Sequence, residues 1–335
     1  MKEASYFERL DEKKIRCNLC PHHCLIKLGE TGNCQVRKNV DGILYSLVYN
    51  NPISTSLDPI EKKPLFHFFP ASTTFSIATV GCNMHCKHCQ NADISQATID
   101  QYPSREMTPE RLVSEAKRSG AQSIAYTYTE PTIFYEYAFD IAKLAHDEGL
   151  KNVFVTNGYI EQKPLEDIAP FLDAANVDLK AMTDEFYQQI CGAKLNPVLE
   201  AIKRYYDLGI WLEITTLIIP DLNDGDQMLT NIAEFIADID INIPWHVTGF
   251  YPTYRLKDRP PTSLSHLQKA VEIGKKAGLK YIYQGNRGAG EDTFCPICHE
   301  VVIKRSGFSI AKNFIQNGKC PFCQTEIAGI NLDSI

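Results

Sequence analysis

All but one of the twelve cysteines stand in three close groups, and thiols spaced this way tie a chain to metal before anything else about its fold is settled. The groups are Cys17, Cys20, Cys24 and Cys34; then Cys82, Cys86 and Cys89; then Cys295, Cys298, Cys320 and Cys323. The opening Met1-Lys2-Glu3-Ala4-Ser5-Tyr6 is polar and lacks the apolar run of a secretory leader, so the expected location is the cytoplasm. In a reducing compartment grouped thiols serve metals rather than disulfides. Cys191, alone in an apolar helix expected over Phe186 to Cys191, is read as a small buried hydrophobe.

From about residue 74, short β-branched runs alternate with longer amphipathic stretches, the pattern of repeated βα units on a parallel sheet. The predicted strands are 74–80, 123–128, 152–156, 175–179, 211–219, 245–250 and 280–283, and the predicted helices 108–119, 131–148, 196–208, 226–239 and 263–277. Thr108-Pro109-Glu110 supplies a capping hydroxyl, a first-turn proline and an early acid, and Gly120 marks that helix's end. Six or seven such units predict an α/β barrel or part-barrel over 74–288. It is flanked by a Cys-rich N-terminal extension, 1–73, and a C-terminal four-cysteine module, 289–335. A net charge of −7 and a pI near 5.8 exclude a general nucleic-acid surface, which needs concentrated Lys and Arg. No run of 18 apolar residues occurs, so no membrane span is expected.

Gly81-Cys82-Asn83-Met84-His85-Cys86-Lys87-His88-Cys89-Gln90-Asn91 follows the first predicted strand of the barrel, at the end where parallel βα barrels keep their chemistry. Three soft thiolates in one loop suit iron–sulfur clusters or zinc, and three leave one iron of a 4Fe-4S cube without a protein ligand. Read from the loop alone, a zinc site or an electron-carrying cluster stays open. Glu130, Asn157 and Lys180 stand at the ends of the next three predicted strands. For each, a helix cap or surface ion pair is the plainer role. Glu213 and Thr215, and then His246, Tyr251 and Tyr254, are further candidates for facing a pocket, although barrel strands also need interior packing residues.

Cys295-x2-Cys298 and Cys320-x2-Cys323 read as the two knuckles of a zinc ribbon, since tetrahedral four-cysteine sites are usually structural. The set Cys17, Cys20, Cys24 and Cys34 has His22 and His23 as further possible ligands, and Gly29 to Gly32 as a turn that brings Cys34 back. Its spacing fits zinc or an auxiliary iron–sulfur cluster equally.

The C-x3-C-x2-C run Cys82 to Cys89 resembles, residue for residue, the motif of the radical S-adenosylmethionine (SAM) superfamily. The resemblance implies a partial (β/α)6 TIM-like barrel and a 4Fe-4S cluster on Cys82, Cys86 and Cys89. SAM chelates the open iron and is cleaved reductively to methionine and a 5′-deoxyadenosyl radical, which abstracts a substrate hydrogen. It implies that His88 lies where an aromatic ring usually flanks the adenine. Glu130 would pair with the SAM ammonium, although Tyr128 and Thr129 replace the two glycines that normally precede it. In the pyruvate formate-lyase activating enzymes a similar Asp-Thr-Asn-Gly turn makes Asn157 a ribose-side candidate, with Val155 in place of the acid; Asp178-Leu179-Lys180 matches the run whose lysine reaches the SAM carboxylate.

With Cys17-x2-Cys20-Pro21-x2-Cys24 and Asp58-Pro59-Ile60-Glu61-Lys62-Lys63-Pro64-Leu65-Phe66-His67, the chain looks like the AmmeMemoRadiSam-system radical SAM enzymes over nearly its whole length. That implies Memo-type and AMMECR-type partner proteins and a reductant such as ferredoxin or flavodoxin, and leaves the substrate, small molecule or protein, unidentified. Two other readings stand beside it: an activase placing a glycyl radical on a partner protein, and a metal-binding adaptor or electron carrier without catalysis.

Overall fold

The computed structural model describes residues 1–286 and 290–333; the boundary expected at 288 and 289 lies outside them. Eight strands form one sheet in chain order. Strands β1 (Ser54–Pro59) and β2 (Thr73–Ala78) pair antiparallel, whereas β2, β3 (Ser123–Tyr126), β4 (Lys151–Thr156), β5 (Ala174–Asp178), β6 (Trp211–Ile218), β7 (Trp245–Gly249) and β8 (Ile282–Gly285) are all parallel. Each parallel step crosses through one helix of seven or more residues: α1 (Pro109–Arg118), α2 (Tyr135–Asp147), α3 (Gln162–Ile168), α4 (Leu195–Asp207), α5 (Asp226–Ile239) and α6 (Leu264–Lys276). The seven predicted strands are therefore present, and β1, inside the stretch read as an extension, joins them at the edge.

Local chemistry explains the helix ends. The Thr108 hydroxyl accepts from the Arg111 amide with Pro109 at the first position of α1, and Ser263 caps α6 by accepting from His266 N–H. Gly209, at φ +74, turns the chain out of α4 while its amide donates to Tyr206 O at 2.9 Å. Two predictions shift. The helix expected from Pro131 begins as a 3-10 turn over Pro131–Phe134, and the stretch Phe186 to Cys191 is a short α turn that opens into a π-helical turn over Tyr187–Cys191. The brief α3, with Pro164 in its first turn, had too little periodicity to predict.

The segment between β1 and β2 covers one face of the sheet. Ala125, Val153 and Ala174 are register partners on that face, and these small side chains leave room for Ile60, Leu65 and Phe68. One row further, Asn176 Nδ2 donates to Pro64 O at 2.8 Å, and the Glu213 carboxylate accepts from Phe66 N at 3.0 Å and His67 N at 2.8 Å. The N-terminal chain forms two three-stranded sheets that dock on α2 through a buried pair: Arg37 Nη1 reaches both Glu136 oxygens at 2.9 Å. A three-stranded antiparallel sheet, Thr293–Phe294, Val301–Ser306 and Ser309–Asn313, carries the C-terminal cysteines. Among the described residues, no helix is long and apolar enough to cross a membrane.

That last sheet is joined to the first through a chain of polar groups. Arg305 donates to Phe66 O and Thr293 Oγ1, Thr293 bonds Tyr283 OH, and the His67 ring lies between Tyr283 OH and Ala328 O. Burial holds the His67 imidazole down to about 4, against the ordinary 6.5. The unfolded chain therefore takes up a proton near pH 6.5 that the folded chain refuses until about pH 4. This stabilisation is complete above pH 6.5 and drains away as pH falls towards 4, by up to about 3 kcal/mol. Urea unfolding of wild type against His67→Gln across that window should show the drop in wild type and a flatter profile in the variant; parallel profiles would refute it.

Candidate active site

The loop that leaves β2 carries Cys82, Cys86 and Cys89 at the carboxyl end of the parallel strands, and its entry depends on Gly81. That residue has φ +95, and a Cβ there would lie 2.7 Å from Cys34 O and 2.8 Å from Val36 Cγ1. Only glycine meets both conditions without moving backbone. Gly81→Ala should therefore push the cysteine loop off the N-terminal chain and lower iron retained after anaerobic reconstitution by more than half, at a stability cost of roughly 2 kcal/mol. Full iron loading in the variant would contradict this account.

Beyond Gly81 the loop is held by backbone. His85 N donates to Cys191 O at 2.8 Å, Lys87 N to Ile190 O at 2.9 Å, and Arg255 N to Lys87 O at 3.0 Å. The last two residues of the π-helical turn thus present their carbonyls, which the end of a helix leaves without an internal donor. Gln96 fixes the loop from a third side, bonding His85 Nδ1 at 2.7 Å and Met84 O at 3.1 Å.

Each thiol has a donor or cation beside it. Met84 N lies 3.3 Å and Asn157 Nδ2 3.7 Å from Cys82 Sγ, and Ser95 Oγ lies 3.2 Å from Cys89 Sγ. Cys86 is hydrogen-bonded by the Cys191 thiol, which draws its pKa below the usual thiol value, and it faces Lys180. Burial, reinforced by the Glu130 charge, pushes the Cys82 thiol well up. Burial alone would lower Lys180, but Asp178, whose Oδ2 is 2.8 Å away, and Cys86 hold the ammonium charged. His88 is buried and pushed down to about 3 by burial and the Lys180 charge, and its Nδ1 has no hydrogen-bond partner. A neutral buried imidazole with an unused ring nitrogen, a buried cation and three thiols fit a sulfur-ligated cluster with a polar, anionic co-ligand.

Glu130 and Asn157 are also in this neighbourhood. One Glu130 oxygen accepts from Thr132 N at 3.0 Å, Thr132 Oγ1 at 2.6 Å and Thr156 Oγ1 at 2.8 Å; the other accepts from Asn157 N at 2.8 Å. Burial raises this carboxyl against those donors. The pairing expected with an external ammonium would compete with four protein donors that brace the ends of β3 and β4. Asn157 Nδ2 in turn bonds Asn83 Oδ1 at 2.9 Å.

Glu213 and His246 lie elsewhere, whereas Thr215 is the register partner of Asp178. Glu213 is two residues into β6 and accepts from Trp211 Nε1 at 3.1 Å and His246 Nε2 at 2.7 Å besides the two amides of residues 66 and 67; Thr215 Oγ1 bonds Asn176 Oδ1 at 2.8 Å. Glu213 and His246 are buried within the sheet, while the Thr215 carbonyl accepts from Leu179 N at 3.0 Å, next to Lys180. Tyr251 and Tyr254 sit on the loop after β7, whose Arg255 amide reaches the cysteine loop. Sequence reasoning passed over Asn83, Asp178 and Cys191. Asn83 and Asp178 stood inside quoted motifs and were legible there, whereas Cys191 gave no local signal.

The C-terminal sulfurs come together, with Cys295 Sγ 3.5 Å from Cys323 Sγ and Cys298 Sγ 3.6 Å from Cys320 Sγ. A tetrahedral zinc with bonds of about 2.3 Å sets its sulfurs about 3.8 Å apart, so this group has a mononuclear geometry. Cys17, Cys20, Cys24 and Cys34 line a single small cavity with His22 and Arg37. His23 stands aside, 3.1 Å from Glu161.

The Radical SAM superfamily model matches residues 76–236. The uncharacterized protein MJ0808 of Methanocaldococcus jannaschii is 45% identical over 332 residues, covering 98% of this chain and 99% of that one. Pyruvate formate-lyase 1-activating enzyme of Escherichia coli is 23% identical over 223 residues, 61% of this chain and 89% of that enzyme. Among solved structures, a radical SAM methyltransferase from Sphaerobacter thermophilus superposes with a TM-score of 0.50 at 19% identity, covering 65% of this chain and 67% of that one; this likeness concerns fold alone.

Proposed function

The chain belongs to the radical SAM superfamily, and from that membership we propose that it is an enzyme abstracting hydrogen from a substrate with a SAM-derived radical. The observation that carries the reading is the convergence of Cys82, Cys86 and Cys89 with buried Lys180 and the unpartnered His88 Nδ1 at the carboxyl ends of the strands. Those three thiolates would hold a 4Fe-4S cluster, whose chemistry when bound would be one-electron reduction of SAM.

The chain's own residues divide the remaining work. Lys180, held charged by Asp178, binds the SAM carboxylate. His88, kept neutral by burial, offers Nδ1 on the adenine side. Asn157 sits beside Cys82 on the ribose side, and Glu130 is a positioning residue that fixes the Asn157 backbone. A one-electron donor such as ferredoxin or flavodoxin, a cytoplasmic setting, a part-barrel over 74–288, and zinc in the ribbon-like module over 289–335 complete the proposal. Memo-type and AMMECR-type proteins are its proposed partners, by the resemblance of the N-terminal and loop motifs. A second reading, transfer of the radical to a glycine of a partner protein, is favoured by the likeness to pyruvate formate-lyase 1-activating enzyme.

Anaerobic reconstitution with iron and sulfide, reduction with dithionite and addition of SAM should yield 5′-deoxyadenosine. A spectroscopically intact, reducible cluster that leaves SAM uncleaved would favour the electron-carrier reading instead.

A further inference from the structure

We propose that Cys17, Cys20, Cys24 and Cys34 hold a second 4Fe-4S cluster, directly beside the loop that bears Cys82, Cys86 and Cys89. The sequence spacing left zinc and iron–sulfur equally open, and the spread of the sulfurs separates them. Among the described residues, only the C-terminal four-cysteine group brings three or more ligand atoms within 4.8 Å of one another. That group has the near-contact spacing of a single tetrahedral ion. The N-terminal group does not. In this it resembles the set of Cys82, Cys86 and Cys89, which also stays wider than one ion requires and which the superfamily assigns to a cube. The four N-terminal cysteines instead line one small pocket together with Leu19 and Ile26, facing a common space without closing to the spacing of one ion. Four soft thiolates spread more widely than one tetrahedral ion requires match a polynuclear cluster.

Arg37 gives an independent sign of a missing partner. Its guanidinium is 1% exposed and lines the cavity. Nη1 is bidentate on Glu136 and Nη2 donates to Ser5 O at 2.7 Å, but Nε, buried, has no hydrogen-bond partner. A buried guanidinium N–H without an acceptor is costly, and the thiolate or sulfide sulfur of a cluster whose irons Cys17 and Cys34 would ligate, the thiols whose charge Arg37 feels, would accept from it. The same cavity is lined by Asn83, the neighbour of Cys82, whose side chain bonds Asn157; on the far side Gly81 packs on Cys34 O. Asn83, whose Oδ1 is 4.0 Å from Cys82 Sγ, therefore touches both sulfur sites.

The inference does not rest on the proposed reaction, because it concerns metal content. Iron, acid-labile sulfide and zinc would be counted in the anaerobically reconstituted full chain, in Cys82→Ala/Cys86→Ala/Cys89→Ala, and in Cys17→Ala/Cys20→Ala, with electron paramagnetic resonance after dithionite. The expected result is about eight irons and eight sulfides in wild type and about half in either variant, each variant with its own reduced-cluster signal. Either variant alone suffices if the other fails to fold. About four irons in wild type, an iron-free first variant and two zinc ions per chain would overturn the proposal in favour of zinc.

Discussion

Cys82→Ala lowers 5′-deoxyadenosine formation at least about a thousandfold, the scale on which removal of an essential catalytic group registers. Cys82 is the thiol nearest the strand end, with Met84 N and Asn157 Nδ2 disposed around its sulfur. Alanine leaves two thiolates in the loop, too few to hold a cube that exposes a single iron. The fold should tolerate the change, because the loop backbone is fixed by Cys191 O, Ile190 O and the Arg255 amide rather than by the thiol. The measurement is product by chromatography alongside circular dichroism and zinc content, both expected at wild-type values. Unchanged product in the variant would remove the assignment of the cluster to this loop.

Glu213→Leu destabilises the protein by about 4 kcal/mol or more, a large share of the stability of a typical domain. The carboxylate is fully buried and accepts from Phe66 N, His67 N, Trp211 Nε1 and His246 Nε2. Burial alone would raise this acid, yet the His246 hydrogen bond and the Phe66 amide draw it below the ordinary value, so it is the anion that the site holds. Leucine leaves four buried donors without an acceptor, each costing about 1–3 kcal/mol unless the chain shifts. Glu213→Gln keeps one acceptor oxygen and should lose less. Denaturant midpoints of the three proteins test this; a loss under about 1 kcal/mol for leucine would show that water or neighbours replace the carboxylate.

This second result also separates structure from chemistry in residues that the sequence grouped together. Glu213 and His246 were candidates for a substrate pocket because they are polar residues on strands expected to form a barrel. Their height along the strands was invisible in the pattern: Glu213 is near the start of β6, whereas Lys180 lies beyond the end of β5. Strand periodicity tells which face a residue takes but not what covers that face, and here residues 60–68 cover it.

What the sequence determined by itself is local. Seven β-branched runs with helical stretches between them set a parallel sheet, since parallel neighbours need a crossover, and short Cys spacings placed three thiols in one loop because a few residues can span only a small distance. Which segments meet across long separations was decided by tertiary structure. The β1 pairing, the Cys191 thiol on Cys86, the Glu213 cradle for residues 66 and 67, and the packing of Cys34 on Gly81 all join positions far apart in the chain. Such contacts depend on buried shape and on every buried donor finding its acceptor, and neither condition is written in the order of neighbouring residues.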